Sequence, residues 1–174
     1  DLTVTGVQTC ALPILALNSH DVRFWMRSEE MVNEVNTNHE NSLYLPGYKL
    51  NERVVATDNM AAAVGDSEVI FVAVPSASFR NVVQNVARHS QDKAILVSTT
   101  KGIEAGSFVL MSQILVEEAP KAIVGVLSGP NLAKEMAGKN LTGTVIASNH
   151  EEVRERVKKV LKSEFFRVYT NDDM

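Results

Sequence analysis

Residues 68–74, Glu-Val-Ile-Phe-Val-Ala-Val, place six apolar side chains in a row after Glu68 with no polar interruption. A strand with one solvated face alternates polar and apolar residues, so an unbroken run reads as a strand buried on both faces. Two covered faces require helices above and below a sheet. Pro75 ends the run, and Phe79, Val82, Val83 and Val86 then fall at i, i+3, i+4 and i+7, one side of a helix.

The same alternation continues along the chain. Apolar runs at 22–26, 53–57, 94–98, 122–128, 142–148 and 165–170 predict strands. Helices are expected over 28–40, with Ser28 as cap and Met31, Val32 and Val35 inward, and over 59–64, capped by Asp58. Further helices are expected at 108–118, near 131–137, and at 150–162, where Ser148 and Glu151 have capping-box spacing and Val153, Val157, Val160 and Leu161 form the inner stripe. Pro46-Gly47 marks a loop within 41–51. Short strands alternating with helices imply βαβ units, and hence an α/β fold with a mainly parallel sheet and helices on both faces.

Composition excludes several classes. Net charge is −4 and no basic cluster carries interleaved aromatics, which argues against a nucleic-acid partner. No apolar run approaches the roughly 20 residues that span a bilayer, so no membrane insertion is expected, and no secretory signal opens the chain. One cysteine, Cys10, leaves no disulfide framework, and His20, His39, His89 and His150 are scattered without metal-ligand spacing. A cytoplasmic, soluble protein is expected.

In an open parallel sheet, ligands bind beyond the carboxyl ends of the strands. The turns to inspect are therefore Arg27, Pro75-Ser76, Thr99-Thr100-Lys101-Gly102 and Ser128-Gly129-Pro130-Asn131, which are expected along one edge. Lys101 reads either as a solvated charge or as a ligand for a phosphate or carbonyl oxygen. Gly129 permits close approach of the backbone to an anion, although Gly-Pro is also ordinary turn punctuation. Arg27 stands where an NAD-binding sheet usually carries an acidic residue for the ribose 2′-hydroxyl; a guanidinium there suits a 2′-phosphate, favouring NADP(H) over NAD(H) in a dinucleotide fold. A solvated arginine is the other reading.

Taken in order, HDVRFWMR (20–27), NSLYLPGYKL (41–50), VAVPS (72–76), TTKGIE (99–104), LSGPNLAKEMA (127–137) and FFRVYTNDDM (165–174) resemble the bacterial-type NAD(P)H-dependent glycerol-3-phosphate dehydrogenases. The resemblance implies a Rossmann-like, doubly wound sheet over residues 15–174, here incomplete at its first strand, with the family's C-terminal helical domain absent. It implies hydride transfer between NAD(P)H and dihydroxyacetone phosphate or sn-glycerol 3-phosphate, a phosphorylated triose, for glycerophospholipid synthesis. It also implies substrate contacts from Lys101, Gly129 and Asn131, where the family usually has Ser or Thr in place of Asn131. Cofactor contacts from Arg27, Tyr44, Lys101 and Ala133 follow, and a homodimer is expected of the full-length protein.

Two departures bear on activity. The family opens with a strand and a GxGxxG-type loop, whereas this chain has TVTGVQTCALPI with Gly6 alone. VTGVQTCALPI is also the translation of a widely used sequencing-library adaptor, so residues 1–14 read as a non-native, adaptor-derived segment. The family's general-base lysine lies in a helix beyond Met174, so no catalytic residue is assigned here and the isolated chain is expected to be inactive. The alternatives are another Rossmann-type ketoacid or β-hydroxyacid reductase, whose turns after the fourth and fifth strands differ from TTKG and SGPN, and a non-catalytic flavodoxin-like module.

Overall fold

The computed structural model describes residues 2–5 by their backbone, and residues 15, 18, 20–130 and 132–174 in full. Eight strands form one sheet: β1 (Leu2–Thr5), β2 (Val22–Trp25), β3 (Val54–Thr57), β4 (Val69–Val72), β5 (Ile95–Ser98), β6 (Ile123–Ser128), β7 (Thr142–Ala147) and β8 (Phe166–Asn171). Their order is β3-β2-β1-β4-β5-β6-β7-β8. Strands β1 to β6 are parallel, β7 runs antiparallel to β6, and β8 is parallel to β7. The mainly parallel, doubly wound sheet is as the sequence predicts.

Among the described residues six helices connect the strands: α1 (Glu29–Asn38), α2 (Met60–Val64), α3 (Ser76–His89), α4 (Met111–Glu118), α5 (Ala133–Ala137) and α6 (Glu151–Leu161). One face of the sheet packs on Val35 of α1 and on Val153, Val157, Val160 and Leu161 of α6. The other packs on α2, on Phe79, Val82, Val83 and Val86 of α3, and on Met111, Ile114 and Leu115 of α4. All four residues of β4 and of β5 are buried, because helices cover these strands on both sides. Leu15 is buried in the first of these clusters.

The first-strand slot, read from sequence as incomplete, holds Leu2–Thr5, in register with Val22–Trp25 on one side and Val69–Val72 on the other. Thr3, Val4 and Thr5 are β-branched, a composition suited to a strand, and the two flanking strands present backbone groups that need partners. The residues that would form a glycine-rich loop, with Gly6 and Cys10, lie outside the described residues.

Three local expectations change. The cap of α2 is Asn59, whose side chain accepts from Ala62 N–H at 3.1 Å, one residue beyond Asp58. The cap position of α6 is His150, since Ser148 is buried and its hydroxyl donates to the Val124 carbonyl at 2.7 Å. The helix expected from 108 begins at Met111. Before it, residues 103–110 form a hairpin closed by an Ile103–Leu110 bridge, with Gly106 at φ +90° and Phe108 at φ +60° turning the chain. Ser28 caps α1 as expected, accepting from Met31 N–H at 3.3 Å.

Candidate functional site

The parallel register brings the turns after β2, β4, β5 and β6 to one rim of the sheet. Their side chains and backbone are tied together by local chemistry. The Thr100 hydroxyl donates to the Val74 carbonyl at 2.7 Å and accepts from Val74 N–H at 3.2 Å, joining the turn after β5 to the end of β4. Gly102 has φ +114°, a conformation that L side chains rarely adopt, and a Cβ there would stand 3.7 Å from Ser76 Oγ. Between these two residues, the exposed Lys101 reaches across to the next turn, and its Nζ donates to the Gly129 carbonyl at 2.8 Å.

Gly129 is confined from the opposite side. A Cβ at this position would lie 2.9 Å from the Gly143 carbonyl oxygen and 3.1 Å from Thr144 Cα, both backbone atoms of β7. The antiparallel return of β7 thus presses against the turn that receives Lys101. The Thr144 hydroxyl donates to the Ser128 carbonyl at 3.0 Å and steadies the same turn. Lys101 and Gly129 therefore form one corner of the rim.

The remaining sequence candidates are distributed less tightly. Arg27 is exposed in the bend between β2 and the Ser28 cap. Among the described residues it makes no hydrogen bond or ion pair. Ala133 begins α5 and is half-buried against the core that includes Met136 and Leu127. Tyr44 is 43% exposed in the turn that leaves the far end of α1, and its backbone N–H donates to Asn41 Oδ1 at 3.4 Å. Asn131 lies outside the described residues.

Sequence reasoning missed an ionic cluster next to this corner. Arg80 on α3 pairs with Glu104 of the hairpin and with Glu117 and Glu118 of α4. Arg80, followed by the Ser107 hydroxyl, holds the Glu104 carboxyl down to about 2. The Gln84 amide and then Arg80 lower that of Glu118 as well, and Glu104 is the largest influence raising Arg80 above its ordinary value. Partners 24 to 38 residues apart leave no local pattern to read.

The arrangement fits a dinucleotide and a second anionic ligand. The strand order reverses between β1 and β4, where parallel α/β sheets open a crevice. The 14-residue helix α3 points its N-terminus to this rim, with no acidic residue in its first turn and no side-chain cap. Such an end attracts phosphate. Among the described residues no cluster of His, Cys, Asp and Glu could hold a metal ion, and no helix is long and apolar enough to cross a membrane.

Strand order and rim together define the class, a doubly wound, Rossmann-like α/β domain. The family described as NAD-dependent glycerol-3-phosphate dehydrogenase N-terminus matches residues 9–154, and the chain belongs to that family. A glycerol-3-phosphate dehydrogenase [NAD(P)+] from Teredinibacter turnerae is 47% identical over 165 residues, covering 95% of this chain and 48% of that protein. One of the same name from Azotobacter vinelandii is 48% identical, again covering 95% of this chain and 48% of its own length. The crystal structure of glycerol-3-phosphate dehydrogenase from Coxiella burnetii superposes with a TM-score of 0.93 at 30% identity, over 99% of this chain and 54% of that one. The chain thus spans about half the length of the curated relatives it matches. These relatives are named for NAD(P)+, so the family's cofactor is a nicotinamide dinucleotide.

Proposed function

We propose that this chain is the cofactor-binding half of an enzyme that moves a hydride reversibly between NADPH and dihydroxyacetone phosphate, giving sn-glycerol 3-phosphate for glycerophospholipid synthesis. The observation that carries this reading is the 2.8 Å bond from Lys101 Nζ to the Gly129 carbonyl. It makes one cationic corner out of two turns. An ammonium has three N–H donors; with one engaged by Gly129 and no other partner among the described residues, two are left for ligand oxygens, each worth about 1.5–3 kcal/mol when charge-assisted.

In this reading Lys101, Gly129 and Asn131 hold the substrate, while Arg27, Tyr44, Lys101 and Ala133 hold the cofactor. When bound, the reduced nicotinamide supplies the hydride. Lys101 orients the triose phosphate and stabilises the negative charge that develops on its carbonyl oxygen. Arg27 offers a guanidinium with no partner among the described residues to a ribose 2′-phosphate, which favours NADP(H) over NAD(H). No rim residue is given the proton-transfer role; Lys101 is an orienting group, and we place the base in the half of the relatives beyond the match. The complete protein is read as a cytoplasmic homodimer acting on a small phosphorylated triose, without nucleic-acid partners or membrane insertion. Residues 1–14 are read as adaptor-derived, which genomic sequencing across the junction before Leu15 tests directly.

The functional test is a chimera in which residues 15–174 replace the matching segment of the Teredinibacter relative. It should oxidise NADPH with dihydroxyacetone phosphate and not with a non-phosphorylated ketoacid. Lys101→Ala should cost about 100-fold in turnover. A folded Lys101→Ala chimera with unchanged kinetics removes this residue from the site.

A further inference from the structure

Three carboxylates converge on Arg80, and one of them, Glu104, stands three residues beyond Lys101. Arg80 is only 27% exposed. Its Nε and Nη2 donate to Glu104 Oε1 at 2.7 Å and Oε2 at 2.8 Å, a two-pronged pair. Its Nη1 donates to Glu117 Oε2 at 2.8 Å and also to Glu118. Gln84 donates to the second oxygen of Glu118 at 2.9 Å, and the Ser107 hydroxyl donates to Glu104 at 2.6 Å. The cluster ties together α3, α4 and the 103–110 hairpin.

Glu104 stands three residues beyond Lys101 in the same strand-to-helix connection. The near end of that connection is fixed where Thr100 bonds Val74 in both directions. Its far end is fixed where Glu104 meets Arg80. The span between includes Gly102, at φ +114°, which has no side chain to anchor the backbone. The Lys101–Gly129 bond is itself exposed, and a lone exposed contact to a long side chain contributes little order. The turn's geometry thus depends on its two ends.

We propose that Arg80 and Glu104 are positioning residues for Lys101: their ion pair fixes the far end of the turn, and so keeps the ammonium against the Gly129 carbonyl where a phosphorylated ligand is received. The ligand part of this rests on the role given to Lys101 above. The ion pair orders the cation before the ligand arrives, so less ordering cost falls on binding. Glu117 is the internal control, since it touches the same guanidinium without belonging to the turn.

Limited trypsin digestion of the 174-residue chain tests the clamp, because cleavage after Lys101 requires its side chain to leave Gly129. Glu104→Gln and Arg80→Lys should each speed the cut at Lys101–Gly102 about tenfold, by lowering the cost of local opening. Glu117→Gln should change it less than about twofold. NADPH titration of the chimera that carries residues 15–174 then reads the consequence: Glu104→Gln should weaken affinity about fivefold when Lys101 is present and not at all in a Lys101→Ala background, the non-additivity of residues acting as one unit. Equal cleavage in Glu104→Gln and Glu117→Gln overturns the proposal, as does a Glu104→Gln effect on affinity that is the same with and without Lys101. If Lys101→Ala alone leaves NADPH affinity unchanged, the functional reading of Lys101 fails, and the cleavage comparison decides the clamp by itself. Should Glu104→Gln fail to fold, Arg80→Lys, which keeps the charge but not the two-pronged geometry, carries the same comparison.

Discussion

Lys101 and Arg27 are cations on the same rim of one sheet, each a short step past a buried parallel strand, yet their surroundings have little in common. Lys101 donates to Gly129, its turn is bonded to Val74 through Thr100, and Glu104 ties the following residues to Arg80. Arg27 stands exposed between β2 and the Ser28 cap and has no bonded partner among the described residues. A held cation suits a task in which the direction of a hydrogen bond matters, such as polarising a carbonyl. An unengaged guanidinium suits one in which charge and adaptable geometry suffice, such as pairing with a peripheral phosphate. The two turns show how one sheet edge can provide both.

The most damaging way to break the held side is through its acceptor. Gly129→Val places a branched side chain where a Cβ alone would already lie 2.9 Å from the Gly143 carbonyl and 3.1 Å from Thr144 Cα. Backbone on the far side cannot yield as a flexible side chain would. A loss of about 3 kcal/mol is expected, visible as a lower thermal midpoint by circular dichroism, together with faster tryptic cleavage after Lys101. The loose side should respond differently. Arg27→Glu should weaken NADPH binding about tenfold, the scale of one charge-assisted contact, leaving NADH affinity and the thermal midpoint nearly unchanged. Equal losses for the two nucleotides would place Arg27 away from the 2′-phosphate.

A subtler probe separates the ends of the held turn. Thr100→Val keeps the shape but removes the hydroxyl that both accepts from and donates to Val74. About 1 kcal/mol of stability should be lost, and amide exchange should quicken at Lys101 and Gly102 without any change in the turn that carries Arg27. If exchange quickens on both turns alike, the rim behaves as one unit and the Lys101 turn is not held separately from the Arg27 turn.

What was legible in the sequence follows from the range of the interaction involved. The buried strand read over 68–74, which forms over Val69–Val72, the α3 stripe from Phe79 to Val86 and the Ser28 cap are governed by neighbours within a turn or two, and each is found where the sequence predicts it. The cap of α2 moved from Asp58 to Asn59 because two adjacent residues can both accept from a helix start, and only the backbone path chooses between them. Ser148 fits a capping box by spacing, but burial against β6 gives its hydroxyl to Val124 instead. The hairpin at 103–110 was hidden because Phe108, Val109 and Leu110 extend the apolar pattern of α4, although Phe108 is at φ +60°. Lys101 and Gly129 could be named from their turns, whereas Arg80 could not. Its partners come from a hairpin and a second helix, and nothing near residue 80 announces them.

Acid offers the mildest test of the contrast. Glu104 titrates at about 2 in the folded chain against an ordinary 4.5, since Arg80 and Ser107 favour its charged form. Glu118 is shifted in the same direction, and Arg80, which faces Glu104, Glu117 and Glu118, stays protonated throughout. A depressed carboxylate contributes its full share above its unfolded pKa and loses it as pH falls through the folded one. The tether on Lys101 should therefore weaken progressively between about 4.5 and about 2. Hydrogen–deuterium exchange corrected for intrinsic rates should show protection of residues 101–104 declining from about pH 5 to about pH 3, with Glu104→Gln already at the low value across that window. Among the described residues the Arg27 turn has no carboxylate partner to lose, so its corrected exchange should stay level. A parallel decline in both turns would mean that acid loosens the whole sheet edge, and that Glu104 is not what sets Lys101 apart.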